Sequence, residues 1–281
     1  LDADHLDCYG NLNAICNAFE NFVGLVPLGG QAVLCGDAPR VRGLMFRKDI
    51  ERIYYGLGKD VRIRADRLKR EGFGSQFRVF DGARLLGDLR LKVPGQHNVY
   101  NALAAVGVGI AMGLSFESQI SGLEAFRGVH RRFEVLGEVC GITVVNDYAH
   151  HPTEIQATLE ASRSVWDGRI VVIFQPHLYS RTRDFATEFG KALSQADRVW
   201  VTDVYSARED PIPGISGAIV ASCTKDAGNE ETWYISDFKK LIATVVRDLK
   251  TGDLVVVMGA GDVELAAYEI YEKLRNKGSF H

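Results

Sequence analysis

Histidines, arginines and carboxylates crowd into a few short stretches of this sequence, and each stretch directly follows an apolar run. ITVVNDYAHHPTE, from Ile142 to Glu154, carries Asp147, Tyr148, His150 and His151; RIVVIFQPHLYSRTR, from Arg169 to Arg183, carries His177, Tyr179, Arg181 and Arg183. RVWVTDVYSARED, from Arg198 to Asp210, and DLVVVMGAGD, from Asp253 to Asp262, repeat the arrangement. Imidazole titrates near neutrality and can move a proton, which makes His150 a candidate general base. An arginine facing a cleft needs an anionic partner there, because an unpaired buried charge is costly. Plainer roles stay open beside these. His151 can start a helix with Pro152, Glu209 and Asp210 can be loop solvation, and Arg181 and Arg183 can line a wet surface. Upstream, His5 lies among Asp2, Asp4 and Asp7. With Asp4 it could complete a divalent-metal site otherwise built from water and phosphate, while the acids alone could simply favour a helix start. Asn98 and Asn101, three apart, fall on one face of a helix's first turn. They can cap and solvate that helix, or offer paired amides to a nucleobase edge.

The elements that must hold these groups follow from the apolar patterning. The Val- and Ile-rich runs lack period-two alternation, as parallel strands covered by helices on both faces require. In open sheets of that kind ligands lie beyond the carboxyl ends of the strands, where these polar clusters fall. Before them, Arg52 to Lys92 alternates apolar with polar residues between Gly and Asp-Gly breaks, which predicts antiparallel strands with one wet face; its Arg and Lys are assigned no chemistry. Leu12, Ile15, Cys16, Phe19, Phe22 and Val23 keep helical spacing and predict one buried stripe. QAVLC reads as a strand with a turn after it, and QHNVYNALAAVGVGIAMGL and SFESQISGLEAF read as helices. The expected fold is α/β: a first part with mixed and antiparallel strands, then a Rossmann-like, mainly parallel sheet covered by helices. The boundary is drawn near Gly128 to His130, beside Arg131 and Arg132.

A length of 281 residues suits about two domains. A net charge of -3 argues against a nucleic-acid surface. Five scattered cysteines without a CxxC pair read as free thiols in a reducing cytoplasm. No apolar run is long enough to span a membrane and no signal peptide opens the chain. It opens at Leu1 without Met, which suggests that the parent chain begins earlier.

ADHLDCYG, GQHNVYNALAA, GVHRRFEVLG, NDYAHHPTE, FQPHLYSRT, DVYSAREDPIPG and GAGD occur in this order, and together they resemble the Mur ligases along essentially the whole chain. Each piece alone is weak: GAGD by itself is more often a plain strand-to-helix turn. The resemblance is strongest to the members that add the first amino acid of the peptidoglycan stem. It implies that residues 1–129 are the latter part of the central ATP-binding domain and residues 130–281 the C-terminal Rossmann-like domain. It implies ATP and Mg²⁺ as cofactors, with UDP-N-acetylmuramate and L-alanine as substrates. By position, His5 matches a cation-binding histidine, Asn98 and Asn101 match asparagines that hold adenine, and Arg132 and Asp147 match nucleotide contacts. Tyr148, His150, His177 and Arg181 match positions near the amino acid and the muramoyl carboxylate.

Two departures from the family pattern stand out. No GxxGKT-type phosphate loop occurs in the 281 residues, nor the acidic metal ligand that follows it, nor a uridine-binding N-terminal domain; these are expected to belong to the same parent protein. Leu178 stands where many such ligases have Arg, which leaves Arg181 and His177 to neutralise the substrate carboxylate. The implied reaction is ATP-driven acyl phosphorylation followed by amine attack, in which preplaced charge and positioning carry the catalysis, with domain closure at Gly128 to Arg132. Two alternatives stay open: a related recycling ligase that attaches a tripeptide, and a non-catalytic nucleotide- or amino-acid-binding module.

Overall fold

The computed structural model describes residues 1–4 and 6–278. The chain divides into two compact units, Leu1–Arg127 and Gly128–His281. The first unit contains, in order, α1 (Leu6–Tyr9), α2 (Leu12–Gly24), β1 (Gln31–Cys35), α3 (Pro39–Arg42), β2 (Glu51–Gly56), β3 (Ile63–Glu71), β4 (Gly74–Asp81), β5 (Arg84–Leu91), α4 (Gln96–Ala111) and α5 (Phe116–Ala125). Its five strands form one sheet in sequence order. β3, β4 and β5 are antiparallel, and the β4–β5 turn uses Gly82 at φ 59°, which the absence of a Cβ permits.

β2 corrects the sequence reading of this region. It runs parallel to β1 and to β3, not antiparallel. Alternation reports that one face is wet and is silent about strand direction; here residues 57–62 carry the chain back so that β3 re-enters in the same sense. The covered face packs Ile53, Ile63, Ala65, Phe77, Val79, Leu89 and Leu91 against Val99, Leu103 and Val106 of α4. α2 starts as its sequence asks, with the Asn11 side chain accepting from the Ala14 N–H at 3.0 Å. Its expected stripe is only partly covered: Ile15 and Val23 are buried, whereas Phe19 and Phe22 are 44% and 69% exposed. Helical spacing gathers apolar residues on one side but does not supply the surface to cover them. The small cluster of Val23, Ala32 and Ile50 is what buries this side.

The second unit contains β6 (Glu134–Val139), β7 (Ile142–Asp147), α6 (Pro152–Val165), β8 (Ile170–Phe174), α7 (Tyr179–Asp184), α8 (Ala186–Leu193), β9 (Arg198–Val201), α9 (Gly217–Asp226), β10 (Thr232–Tyr234), α10 (Phe238–Asp248), β11 (Leu254–Met258) and α11 (Glu264–Gly278). Its sheet has the order β10-β9-β8-β11-β7-β6, parallel except for β6. The apolar runs are buried on both faces, as expected of a covered parallel sheet. On one side Val144, Val171, Ile173, Val255 and Val257 meet Leu241, Ile242 and Val245 of α10 and Ala266, Ala267 and Ile270 of α11. On the other, the Phe174 ring lies 5.4 Å from that of Phe189 in α8.

Register then fixes where the polar clusters go. Met258 pairs with both Asp147 and Phe174, and Phe174 pairs with Val201. The four apolar runs therefore end level at one sheet edge. β11 is threaded last between β8 and β7, so neighbouring strand ends send their chains to helices on opposite faces, α6 and α8 on one and α11 on the other. This divergence opens a crevice at the carboxyl edge. Among the described residues, no helix is long and apolar enough to cross a membrane.

Candidate functional site

The loop after β7 is built around Asp147, which is 5% exposed. Its Oδ2 accepts from the Phe133 N–H at 2.8 Å and its Oδ1 from the Ala149 N–H at 2.7 Å. Burial pushes its pKa up, and the two backbone bonds and Arg132 restrain that rise. The carboxylate thus holds the strained turn in which Arg131 and Phe133 adopt φ of 59° and 47°. The Tyr148 N–H donates to the Arg131 carbonyl at 2.7 Å, and the Arg131 and Arg132 guanidiniums lie 4.7 and 5.5 Å from the centre of the Tyr148 ring. Arg131 also donates to the Gly259 carbonyl at 2.7 Å and pairs with Glu264 at 2.7 Å, binding the β11 loop to the β7 loop.

His151 is buried at the start of α6. It caps α6, its Nδ1 accepting from the Thr153 N–H at 3.4 Å, and Glu154 completes a capping box. Glu154 does more than cap. One oxygen accepts from the His150 and His151 N–H groups at 3.0 and 3.2 Å, and the other pairs with Arg132 at 3.1 Å. Burial pushes the Glu154 carboxyl up, but the His150 N–H, the His150 ring and Arg132 outweigh it and leave the group below its ordinary range. The His150 Nδ1 lies 2.9 Å from the Tyr148 carbonyl and 3.3 Å from Glu154. Both neighbours of Nδ1 are acceptors, which favours a proton on that nitrogen.

His177 follows β8 and sits edge-on to His150, ring centres 5.7 Å apart, and face-on to Tyr205 at 5.8 Å and 15°. A parallel bridge between His177 and Tyr205, with the Leu178 N–H on the Tyr205 carbonyl at 3.0 Å and the Tyr205 N–H on the Pro176 carbonyl at 2.9 Å, fixes the stack. Burial, then the charges of His150 and Arg181, push its pKa down to about 4, against an opposing pull from Glu209. A pKa so lowered favours the neutral ring, which hydrogen-bonds rather than carries charge. Arg181 is held by α7 at 9% exposure. Arg183 instead faces solvent beside Asp184. Leu178 opens α7 at φ 68° and ψ 133°, backbone values rarely adopted outside glycine. Glu209 accepts from both the Ser180 N–H and its hydroxyl at the start of α7.

The GAGD turn packs rather than cradles. A Cβ on Gly261 would lie 2.4 Å from the Tyr205 ring and 2.5 Å from the Gln175 amide oxygen. Gln175 in turn donates to Asp262 at 2.8 Å and accepts from the Val263 N–H at 3.1 Å. The structure therefore brings Tyr148, His150, His177 and Tyr205 into one ring cluster, with Arg131 and Arg132 against Tyr148. Sequence reasoning gave no role to Tyr205, Arg131, Glu154 or Gln175. Glu154 had a signal, three residues after His151 and before an apolar helix; Tyr205 had none beyond its place after an apolar run.

In the first unit, Asn98 and Asn101 lie in the first two turns of α4, but the N-cap is Gly95, not Asn98. The Asn98 amide donates to the Pro94 carbonyl at 2.7 Å, and its oxygen accepts from Asn101 at 3.2 Å. Asn101 is exposed and Asn98 half-buried, so the pair presents amide groups at the helix mouth. His5 lies outside the described residues. Among the described residues no group of three or more His, Cys, Asp or Glu is placed to hold a metal ion.

Comparison with known proteins agrees along the whole chain. The sequence model for the Mur ligase middle domain matches residues 1–109, and that for the Mur ligase, glutamate ligase domain matches residues 131–261. The chain is 43% identical to UDP-N-acetylmuramate–L-alanine ligase of Salinibacter ruber over 99% of its length, and 44% identical to that of Mycolicibacterium smegmatis over 99%. It spans 59% and 58% of those two relatives. The crystal structure of UDP-N-acetylmuramate–alanine ligase from Thermotoga maritima matches with a TM-score of 0.76 at 28% identity, over 98% of this chain and 58% of that one. A MurF ligase from the same organism, solved with ADP, shares the fold at a TM-score of 0.77 and 19% identity. With both of its domains and nearly all of its length accounted for in this way, the chain belongs to the Mur ligase family.

Proposed function

We propose that the chain supplies the adenine-recognising turn and the amine-binding unit of a cytoplasmic, ATP-dependent amide ligase that joins L-alanine to UDP-N-acetylmuramate. The observation that carries this reading is the cluster of Tyr148, His150, His177 and Tyr205 at the carboxyl edge of the second sheet, with the Arg181 guanidinium near enough to His177 to help lower its pKa. A primary amine must lose a proton to attack, and its carboxylate must be held. In this reading Nε2 of His150 takes the proton, Arg181 holds the carboxylate, and His177 and Tyr148 fix its orientation. In the reaction the muramoyl carboxylate is phosphorylated by ATP, the amine displaces phosphate, and amide, ADP and phosphate result. Asn98 and Asn101 would contact the adenine, and Arg132, half-exposed on Glu154, the nucleotide phosphates. Asp147 has both oxygens on backbone N–H groups, so its role is to shape the turn that presents Arg132.

The test uses a polypeptide extended to the length of the relatives and assayed for phosphate release. Release should require ATP, UDP-N-acetylmuramate and L-alanine together; release with a tripeptide amine and none with L-alanine would overturn the L-alanine assignment. Arg181→Ala should lower kcat/KM by about 10- to 100-fold, the loss of a charge-assisted contact worth about 1.5–3 kcal/mol. Unchanged kinetics would remove Arg181 from the site. The 281-residue chain alone holds no GxxGKT-type phosphate loop, and alanine-dependent phosphate release from it would contradict the reading.

A further inference from the structure

A second carboxylate is engaged as completely as Asp147, in the other unit and with no part in the chemistry above. Asp37 follows β1. It accepts from the Leu57 N–H at 2.5 Å, the Gly58 N–H at 3.1 Å and the Tyr100 hydroxyl at 2.9 Å. Room is kept for it: a Cβ on Gly56 or Gly58 would lie 2.5 or 2.7 Å from its carboxylate oxygens. Leu57 and Gly58 follow β2, so one carboxylate joins the carboxyl ends of two parallel strands to the N-terminal part of α4.

Tyr100 is the link that matters, because it adjoins Asn101 and stands two residues after Asn98. Burial, then the bond to Asp37, push its pKa above the ordinary tyrosine value, which keeps the hydroxyl a donor across the working pH range. The far side of the same turn is held by Val99, 1% exposed in the apolar core. Apolar packing resists lateral movement of a helix but is non-directional and sets its rotation poorly. A directional charge-assisted bond one residue from Asn101 sets it well.

We infer that Asp37 and Tyr100 are positioning residues for base recognition, fixing the rotation of α4 so that the Asn98–Asn101 amides meet an adenine edge. This rests on the proposed role of those asparagines. The probe is ADP, with GDP as control, titrated into the 281-residue chain and its variants by NMR. Tyr100→Phe should weaken ADP binding about three- to tenfold, less than a direct contact because the bond acts through the helix, and leave GDP binding unchanged. In an Asn98→Ala background it should add no further loss, since the two act through one contact. Asp37→Asn, which removes the charge from the bond, should reproduce the pattern and serves if Tyr100→Phe fails to fold. Equal losses for ADP and GDP, additivity with Asn98→Ala, or no loss would overturn the inference while leaving the adenine assignment standing. A wild-type chain that fails to distinguish ADP from GDP would overturn both.

Discussion

The neutral state of His177 has a consequence for stability that can be measured. Its pKa stands at about 4 in the folded protein against an ordinary 6.5. Between those values the unfolded chain binds more protons than the folded one, so folding stability falls as pH falls. The contribution is complete above about pH 6.5, is lost through the window, and levels off below about pH 4. The separation sets a ceiling of about 3 kcal/mol for a fully sequestered group. His177 is only half-buried, and solvent screening brings the expected effect to about 1–2 kcal/mol. Trp166, Trp200 and Trp233 all lie in the second unit, so urea unfolding followed by Trp fluorescence reports that unit alone. From pH 7.5 to 4.5 the wild type should lose about 1–2 kcal/mol more than His177→Gln, which keeps a neutral polar group in place. The His177 Cε1–H resonance should show no titration near pH 6.5. A resonance titrating there, or equal losses in both proteins, would refute the reasoning and restore His177 as a cation for the substrate carboxylate.

Three further outcomes follow from the same geometry. Asp147→Asn should destabilise the second unit by about 1–3 kcal/mol in urea unfolding, because an amide nitrogen must face the N–H of Phe133 or Ala149 in place of an acceptor. Gly261→Ala should cost about 1–3 kcal/mol and disturb the Tyr205–His177 stack, since the new Cβ meets the Tyr205 ring and Gln175 together; a His177 resonance unchanged by that substitution would argue against the contact. Glu154→Ala should cost about 1–2 kcal/mol through loss of the α6 capping box. In the extended ligase it should also shift the acid limb of the rate profile, because the carboxylate lies against His150; an unmoved limb would separate Glu154 from the base.

The covered parallel sheet was legible in the sequence: runs such as RIVVIF and DLVVVM could be buried helix segments by periodicity, but a helix has no reason to gather His, Arg and carboxylate at the same end each time. So was the sheet edge at which the polar clusters gather, because each run ends directly in one. The Asp-Gly turn between β4 and β5 was equally local, resting on a few neighbouring backbone groups. The rest depends on partners distant along the chain. β2 became parallel because its neighbours are β1 and β3, and Phe19 and Phe22 stayed exposed because nothing described packs over them. Tyr205 joined His177 because β9 lies beside β8. The clearest case is His177: its residue type offers a cation near neutrality, but Tyr205, His150 and Arg181, brought in from three other positions, remove its water and place positive charge beside it. A pKa follows from desolvation and neighbouring charge, and both are set by the folded chain rather than by the residue's place in the sequence.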